Sequence, residues 1–330
     1  MSKNTKVSKL HIRVISDVHL EHRTLLKWDN GITKKWRCVM PLKFENVDDM
    51  DSTCLIIAGD LGYPSSTIYY KYLTFVKDMF DHVIVVSGNH ETYKQSFESN
   101  RHNLRNDDDV PRIKRDKIKT NTILDDTFTN TFKKMSCKNQ SPKKSWCDYW
   151  CKKSAFDSGC IYLDCDTFDI ILKDGSTIKI AGCTLWSHIP RSNYVDAVMQ
   201  LNDFYNCDDL IKGGAKTYNE WHSLQSDWLI DQLTSINPPD IVVTHHLPTY
   251  SLIAEKFKNS SLNYCYASNT IDENTLTRAR LICCGHSHAY KNFKLGDTEF
   301  ILNPLGYASE AYTSTYKFDY NYVLTGTKRE

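Results

Sequence analysis

His82-Val83-Ile84-Val85-Val86-Ser87-Gly88-Asn89-His90-Glu91 begins as a near-continuous apolar run and ends in a glycine followed by three chemically active side chains. An unbroken apolar run of this length suits a strand covered on both faces, because neither face meets water. Gly88 then allows a tight turn and leaves the backbone room at a crowded place. Four other stretches share the design: Asp17-Val18-His19, Gly59-Asp60, Thr244-His245-His246 and Gly285-His286-Ser287-His288. They follow the apolar runs His11–Ser16, Thr53–Ala58, Ile241–Thr244 and Leu281–Cys284. Side chains that leave the carboxyl ends of neighbouring strands converge on one crevice in open α/β sheets. In an extended segment Asp17 and His19 face the same way while Val18 points back to the core. Two carboxylates, an amide and several imidazoles gathered there suit a pair of divalent cations. Nitrogen and oxygen donors without thiolate favour manganese, iron or zinc over calcium.

Outward from these blocks the chain alternates strands and helices. Ser65–Phe80 places Ile68, Tyr72, Phe75, Val76 and Met79 at helical spacing. Ile161–Cys165, Phe168–Leu172 and Thr177–Leu185 read as strands, the last two joined at the hairpin signal Asp174-Gly175. Trp221–Leu233 reads as a helix facing inward through Leu224, Trp228, Leu229 and Leu233, with Phe300–Leu302 as a further strand. Gly213-Gly214 lacks the Lys-Ser/Thr of a phosphate loop and reads as a turn. Residues 24–51 read as loops and a short hairpin.

The stretch 98–159 breaks the pattern. Arg101 to Cys160 holds 14 Lys/Arg against 8 Asp/Glu, with weak apolar periodicity apart from a packed segment at Trp146, Tyr149 and Trp150. It reads as a partly helical surface excursion, the sharper alternative being a lid or a basic contact for a polyanion. Lys+Arg 41 against Asp+Glu 40 over the chain argues neither for nor against nucleic acid. A polar, basic amino terminus and no apolar run of about 20 residues lead to the expectation of a soluble, cytoplasmic protein without membrane contact. Cys54, Cys183, Cys283 and Cys284 sit in apolar runs as small hydrophobes. Cys137, Cys147, Cys151 and Cys160 lack the paired knuckles of zinc sites and read as unrelated reduced thiols.

The five blocks, in this order, resemble those of the calcineurin-like metallophosphoesterase superfamily: D-x-H, G-D, G-N-H-[DE], H and G-H-x-H. None is substituted. The likeness extends to a branch of cytosolic phosphoesterases through Gly182-Cys183-Thr184-Leu185-Trp186, Asn202-Asp203-Phe204, Val243-Thr244-His245-His246-Leu247-Pro248, Tyr266-Ala267-Ser268 and Asn303-Pro304-Leu305-Gly306-Tyr307. Leu305 stands where many relatives carry a basic residue. The resemblance implies one catalytic domain over 1–330, interrupted by an insertion at about 98–159. The implied fold is α/β, a four-layer α-β-β-α sandwich of two mixed sheets.

Carried over residue by residue, the resemblance implies one metal on Asp17, His19 and His288 and a second on Asn89, His245 and His286, with Asp60 bridging. The implied activity is a binuclear metal-dependent phosphoesterase acting on a small phosphomonoester or phosphodiester through a metal-bridging hydroxide. His90 would bind no metal; it would lie beside the substrate as the catalytic residue, stabilising charge or protonating the leaving oxygen at a pKa near the working pH. Of the adjacent His245 and His246, the second would pack or contact substrate. Glu91 reads as an orienting or capping residue, and Asp203 as either a site residue or a structural hydrogen bond. His11, His22, His82, His102, His188 and His222 read as surface or core histidines, and Tyr307 to Tyr322 as packed or strand residues. A nuclease gripping its substrate through the basic insertion, and a non-catalytic scaffold for protein partners, are the competing readings. Substrate, metal identity and oligomeric state stay open.

Overall fold

The computed structural model describes residues 7–23, 41–93, 144–310, 317 and 319–327. Strands β1 (Lys9–Ile15), β2 (Ser52–Ala58), β3 (His82–Val86) and β4 (Ile161–Leu163) pair in parallel in that order. A second sheet holds β5 (Asp166–Ile171), β6 (Thr177–Gly182), β7 (Ile241–Val243), β8 (Leu281–Cys284), β9 (Lys291–Leu295) and β10 (Thr298–Leu302). Its order is β5-β6-β7-β8-β10-β9, parallel through the centre with antiparallel edges. Finally β11 (Tyr322–Thr325) pairs antiparallel to β1 and closes the first sheet. Each expected strand forms, to within a few residues at its ends; β9 and β11 were not legible.

The alternation of strand side chains explains the apolar runs. Leu10, Ile12, Cys54, Ile56, Ile84 and Val86 meet Ile178, Ile180, Val243 and Cys283 between the two sheets. The opposite faces are also covered. Leu55, Ile57, Val83 and Val85 pack against Tyr69, Tyr72 and Val76 of α1 (Thr67–Lys77) and against Cys147, Cys151 and Ala155 of α2 (Lys144–Ser158). On the second sheet, Val242, Ile282 and Phe300 pack against Leu229 and Leu233. The result is four layers, helix, sheet, sheet, helix. Each fully buried aliphatic side chain contributes about 1.5–3 kcal/mol relative to exposure.

Two sequence expectations change here. The end of the presumed surface excursion is α2, a core layer whose inward face is built from small side chains. Cys147 and Cys151 lie one turn apart with sulfurs 4.0 Å from each other, and Cys160 donates to the Leu73 carbonyl. Cys137, His102 and the charged run up to residue 143 lie outside the described residues. Second, Trp221–Leu233 is the later part of a longer helical stretch, Asp208–Thr234, interrupted at Gly214 with φ 60° and ψ −156°. On it Leu224 is exposed and Gln225 is buried, because Gln225 accepts from the Trp186 amide and donates to Asp164.

Candidate metal centre

The carboxyl ends of β1, β2, β3, β7 and β8 deliver all seven expected ligands to one place. Five of the seven hold a left-handed backbone: Asp17 (φ 54°), His19 (49°), Asp60 (53°), His286 (71°) and His288 (47°). Asp17 and His19 therefore reach the same side through two left-handed residues, not through the extended segment expected, while Val18 is buried as expected. Each such residue costs about 1–3 kcal/mol and persists only where its surroundings over-determine it. Here the surroundings are a backbone lattice. The amides of Asp17 and His19 donate to the carbonyls of Gly59 and Asp60 at 3.0 and 2.9 Å, and the His286 amide donates to the Asp17 carboxylate at 3.0 Å. Gly59 takes φ 82°, and a Cβ there would strike the His245 ring; a Cβ at Gly88 would strike the Asp60 carboxylate.

Donor atoms converge in overlapping groups, two of which match the expected ligand sets. Nε2 of His19 lies 3.0 Å from Nε2 of His288, which is 3.4 Å from Oδ1 of Asp17. Donor atoms of Asp60, His245 and His286 form the second group, all within 4.8 Å of one another. Asn89 joins it with Oδ1 3.1 Å from His245 Nε2. Asp60 faces both groups, with Oδ2 3.8 Å from His19 Nε2 and Oδ1 3.4 Å from His245 Nε2.

The outer hydrogen bonds decide which atoms are free to ligate. Nδ1 of His19 meets Glu21 at 3.2 Å, Nδ1 of His288 meets Glu310 at 2.8 Å, and Nδ1 of His245 meets the Ala58 carbonyl at 2.9 Å. An Nδ1–H held in this way leaves Nε2 as a lone pair, the usual arrangement behind a metal-binding histidine. Nε2 of His19 and Nε2 of His288 then stand 3.0 Å apart, close enough to share one proton or to ligate one cation. The Asn89 amide donates through Nδ2 to Asp203 Oδ1 at 2.8 Å and to the Tyr93 hydroxyl at 3.0 Å, so its oxygen is the atom presented to the site. The donor set fits two divalent cations.

A model of the family described as calcineurin-like phosphoesterase matches residues 10–290. The chain belongs to that family. As a calcineurin-like phosphoesterase it is a metal-dependent phosphoric ester hydrolase. Over 312 residues it is 23% identical to "Uncharacterized protein L509" of Acanthamoeba polyphaga mimivirus, covering 91% of this chain and 92% of the relative. Its fold is similar to that of a solved structure titled phosphopantetheinyl hydrolase (PptH) from Mycobacterium tuberculosis, with a TM-score of 0.57 at 15% identity over 97% of this chain and 95% of that one.

The electrostatics of this calcineurin-like site follow from burying opposite charges together. Burial pushes the Asp17 carboxyl up, but His288 and His245 hold it at about 2. Burial likewise opposes ionisation of Asp60, and His245, His90 and His19 outweigh it, leaving the group well below its usual range. Burial lowers His245, yet the Asp60 and Asp17 carboxylates raise it to about 10. His286, buried beside His245, is pushed down to about 3. Their neighbours thus drive the two imidazoles of this group in opposite directions, and a cation on Nε2 of His245 would displace its proton.

His90 stands close beside the first donor group, its ring nitrogen within 4.8 Å of donor atoms of His19 and Asp60, and it lines the cleft. Its Nε2 is 4.0 Å from Asp60 Oδ2 and 3.2 Å from the Tyr307 hydroxyl. His246 does not reach the cleft: it is fully buried behind His286 at a stacked 4.1 Å, with Nδ1 3.1 Å from the Ser187 hydroxyl. His188 is exposed and lies against His222, apart from the site. Leu305 packs into the core beneath the first sheet. Tyr307, expected to be a packed residue, instead lines the cleft with its ring 4.4 Å from His19. Among the described residues no helix is long and apolar enough to cross a membrane.

Three carboxylates that support the site escaped sequence reading in whole or part. Asp203 orients Asn89, Glu310 orients His288, and Glu21 serves two rings at once. Oε1 of Glu21 lies 2.8 Å from Nδ1 of His90 and 3.2 Å from Nδ1 of His19. Burial opposes its charge, but the two histidines hold it at about 2. Glu21→Gln keeps the volume and removes that charge. We expect kcat on an aryl phosphate to fall about 10–100-fold with weaker metal retention; unchanged kinetics and metal titration would remove Glu21 from this role.

Proposed function

We propose that this phosphoesterase hydrolyses an ester of a small phosphorylated molecule at a two-cation centre. Asp17, His19 and His288 would hold one cation, Asn89, His245 and His286 the other, and Asp60 would serve both. The observation that carries this reading is Asp60, whose two oxygens face two separate groups of imidazole nitrogens. When bound, divalent cations neutralise phosphate charge and make water a nucleophile near neutral pH. Manganese, iron and zinc are the cations the donor set favours.

The chain's own residues do the rest. The left-handed backbone at Asp17, His19, Asp60, His286 and His288 fixes the donors before substrate arrives, so little reorganisation accompanies reaction. Burial lowers the His90 pKa, but Asp60 and Glu21 overcome it and raise the ring to about 9. Without bound cations this favours a proton on Nε2, which faces the cleft while Glu21 holds Nδ1; cations on Asp60 would weaken its share of that pull. That Nε2–H can stabilise developing charge and be given to the leaving oxygen.

Protein stripped with a chelator should lose hydrolysis of p-nitrophenyl phosphate and bis(p-nitrophenyl) phosphate and regain it with manganese, iron or zinc. His90→Ala should cost about 10²–10⁴-fold in kcat while elemental analysis still finds wild-type metal. Full activity after stripping, or metal lost with His90→Ala, would overturn the assignment.

A further inference from the structure

Beyond the phosphate end, the cleft continues between two segments that neither the ligand blocks nor the metals explain. Its volume is about 340 Å³, near the lower end of small-molecule sites. One wall comes from the turn after Tyr194–Gln200 and carries Gln200, Leu201 and Asn202. The facing wall comes from the short turns between Tyr250 and Tyr266 and carries Ile253, Phe257, Leu262 and Asn263. Tyr93 and Tyr266 form the floor, their rings 4.4 Å from His90 and 4.7 Å from His286.

The chemistry of these walls is apolar and amide. The carboxylates at the cleft are Asp60, Asp203 and Glu310, and none of the described residues lining it is a lysine or arginine. Two lysines come near the rim without lining it. Lys256 lies over the Phe257 ring at 4.6 Å, and Lys258 is 3.4 Å from Glu255. A strand of nucleic acid needs side chains that neutralise the phosphates flanking the scissile one. Among the described lining residues a leaving group with further phosphates would instead meet amides, aromatic rings and Asp203.

We infer that the leaving group is a neutral, amphipathic alcohol: an apolar body that fills the space between Leu201 and Leu262, with amide or hydroxyl groups that hydrogen-bond to Gln200, Asn202 and Asn263. This rests on the phosphoesterase reading and narrows it to esters whose only anionic group is the one hydrolysed. Apolar walls and amides give this selectivity together, because apolar contact supplies affinity and polar groups left unmatched by a wrong ligand supply discrimination.

The test compares the phosphate monoester of N-hexanoylethanolamine with an oligothymidylate and a nucleoside diphosphate, on metal-loaded protein. The expected kcat/KM for the acylamide ester exceeds that for either polyanion by at least about a hundredfold. Leu262→Asp should reduce that ratio at least about tenfold, and Gln200→Lys should reduce it by raising turnover of the polyanions. Calorimetry with N-hexanoylethanolamine itself separates the two ideas. Binding by wild type that Leu262→Asp weakens, on protein that hydrolyses no phosphoester, would sustain the cleft assignment and defeat the phosphoesterase reading. Equal or faster hydrolysis of the polyanions, or no binding of the free alcohol, would overturn the inference.

Discussion

Asp60→Asn should abolish turnover, lowering kcat on p-nitrophenyl phosphate by at least about a thousandfold, and should release one of two cations. A metal ligand that stabilises transition-state charge is worth several kcal/mol, and each ~1.4 kcal/mol is tenfold in rate. The geometry also says which cation leaves. Oδ1 of Asp60 accepts from the His90 amide at 2.9 Å, so the carbonyl oxygen of the new asparagine stays there. Its NH2 then takes the place of Oδ2, 3.8 Å from His19 Nε2, and points a donor where a cation requires an acceptor. The group of Asp17, His19 and His288 should lose its ion while the group of His245 and Asn89 retains it. Elemental analysis of the purified variant beside its kinetics reads both outcomes. Two bound metals with wild-type kcat would defeat the shared role of Asp60.

The two predictions of this kind rest on residues whose legibility differed. Asp60 could be read from sequence because it follows Thr53–Ala58, an apolar run, and a glycine; strand, turn and carboxylate are all local signals. The same holds for Asn89, His245 and His286. What sequence could not supply was the support behind them. Glu21 and Glu310 look like ordinary surface carboxylates until the fold sets them against His19, His90 and His288. No spacing announces that pairing, because Glu310 and His288 come from different loops. The helix Lys144–Ser158 was read only in part, as a packed segment at Trp146, Tyr149 and Trp150 in a partly helical excursion, and for a different reason. Its buried face is Cys147, Cys151, Ser154 and Ala155, side chains too small and too weakly apolar to register as a hydrophobic stripe. Strand β9 was hidden by its edge position, where exposed Asn292 and Lys294 alternate with half-buried Lys291, Phe293 and Leu295. The left-handed residues at the site were also unreadable, since Asp and His at these points break a local preference that only the finished site enforces.

Glu91 is the position where a single change should cost the most stability. Its carboxylate ties together the two loops that follow β2 and β3. Oε2 accepts from the Gly88 and Asp60 amides at 2.7 and 3.1 Å, and Oε1 accepts from the Leu61 and Gly62 amides at 2.8 and 3.4 Å. Burial and the nearby Asp60 charge push this group up to about 8, while His245 and the Gly88 amide act to lower it. Glu91→Ala removes the acceptor and leaves these buried donors facing a cavity. A buried donor left unmatched costs about 1–3 kcal/mol, so a loss of roughly 3–5 kcal/mol is expected for the set. Glu91→Gln should lose less, because the amide oxygen still accepts from one pair while its NH2 opposes the other. Denaturant unfolding of metal-stripped protein measures this directly, apart from any contribution of bound ions to stability. An order of wild type, Glu91→Gln, then Glu91→Ala is expected, with the metal-loaded kinetics of Glu91→Gln also reduced as Asp60 and Gly88 shift. If Glu91→Ala unfolds within about 1 kcal/mol of wild type, the loops carrying Asp60 and Asn89 are held by the strands alone, and Glu91 is not their clamp.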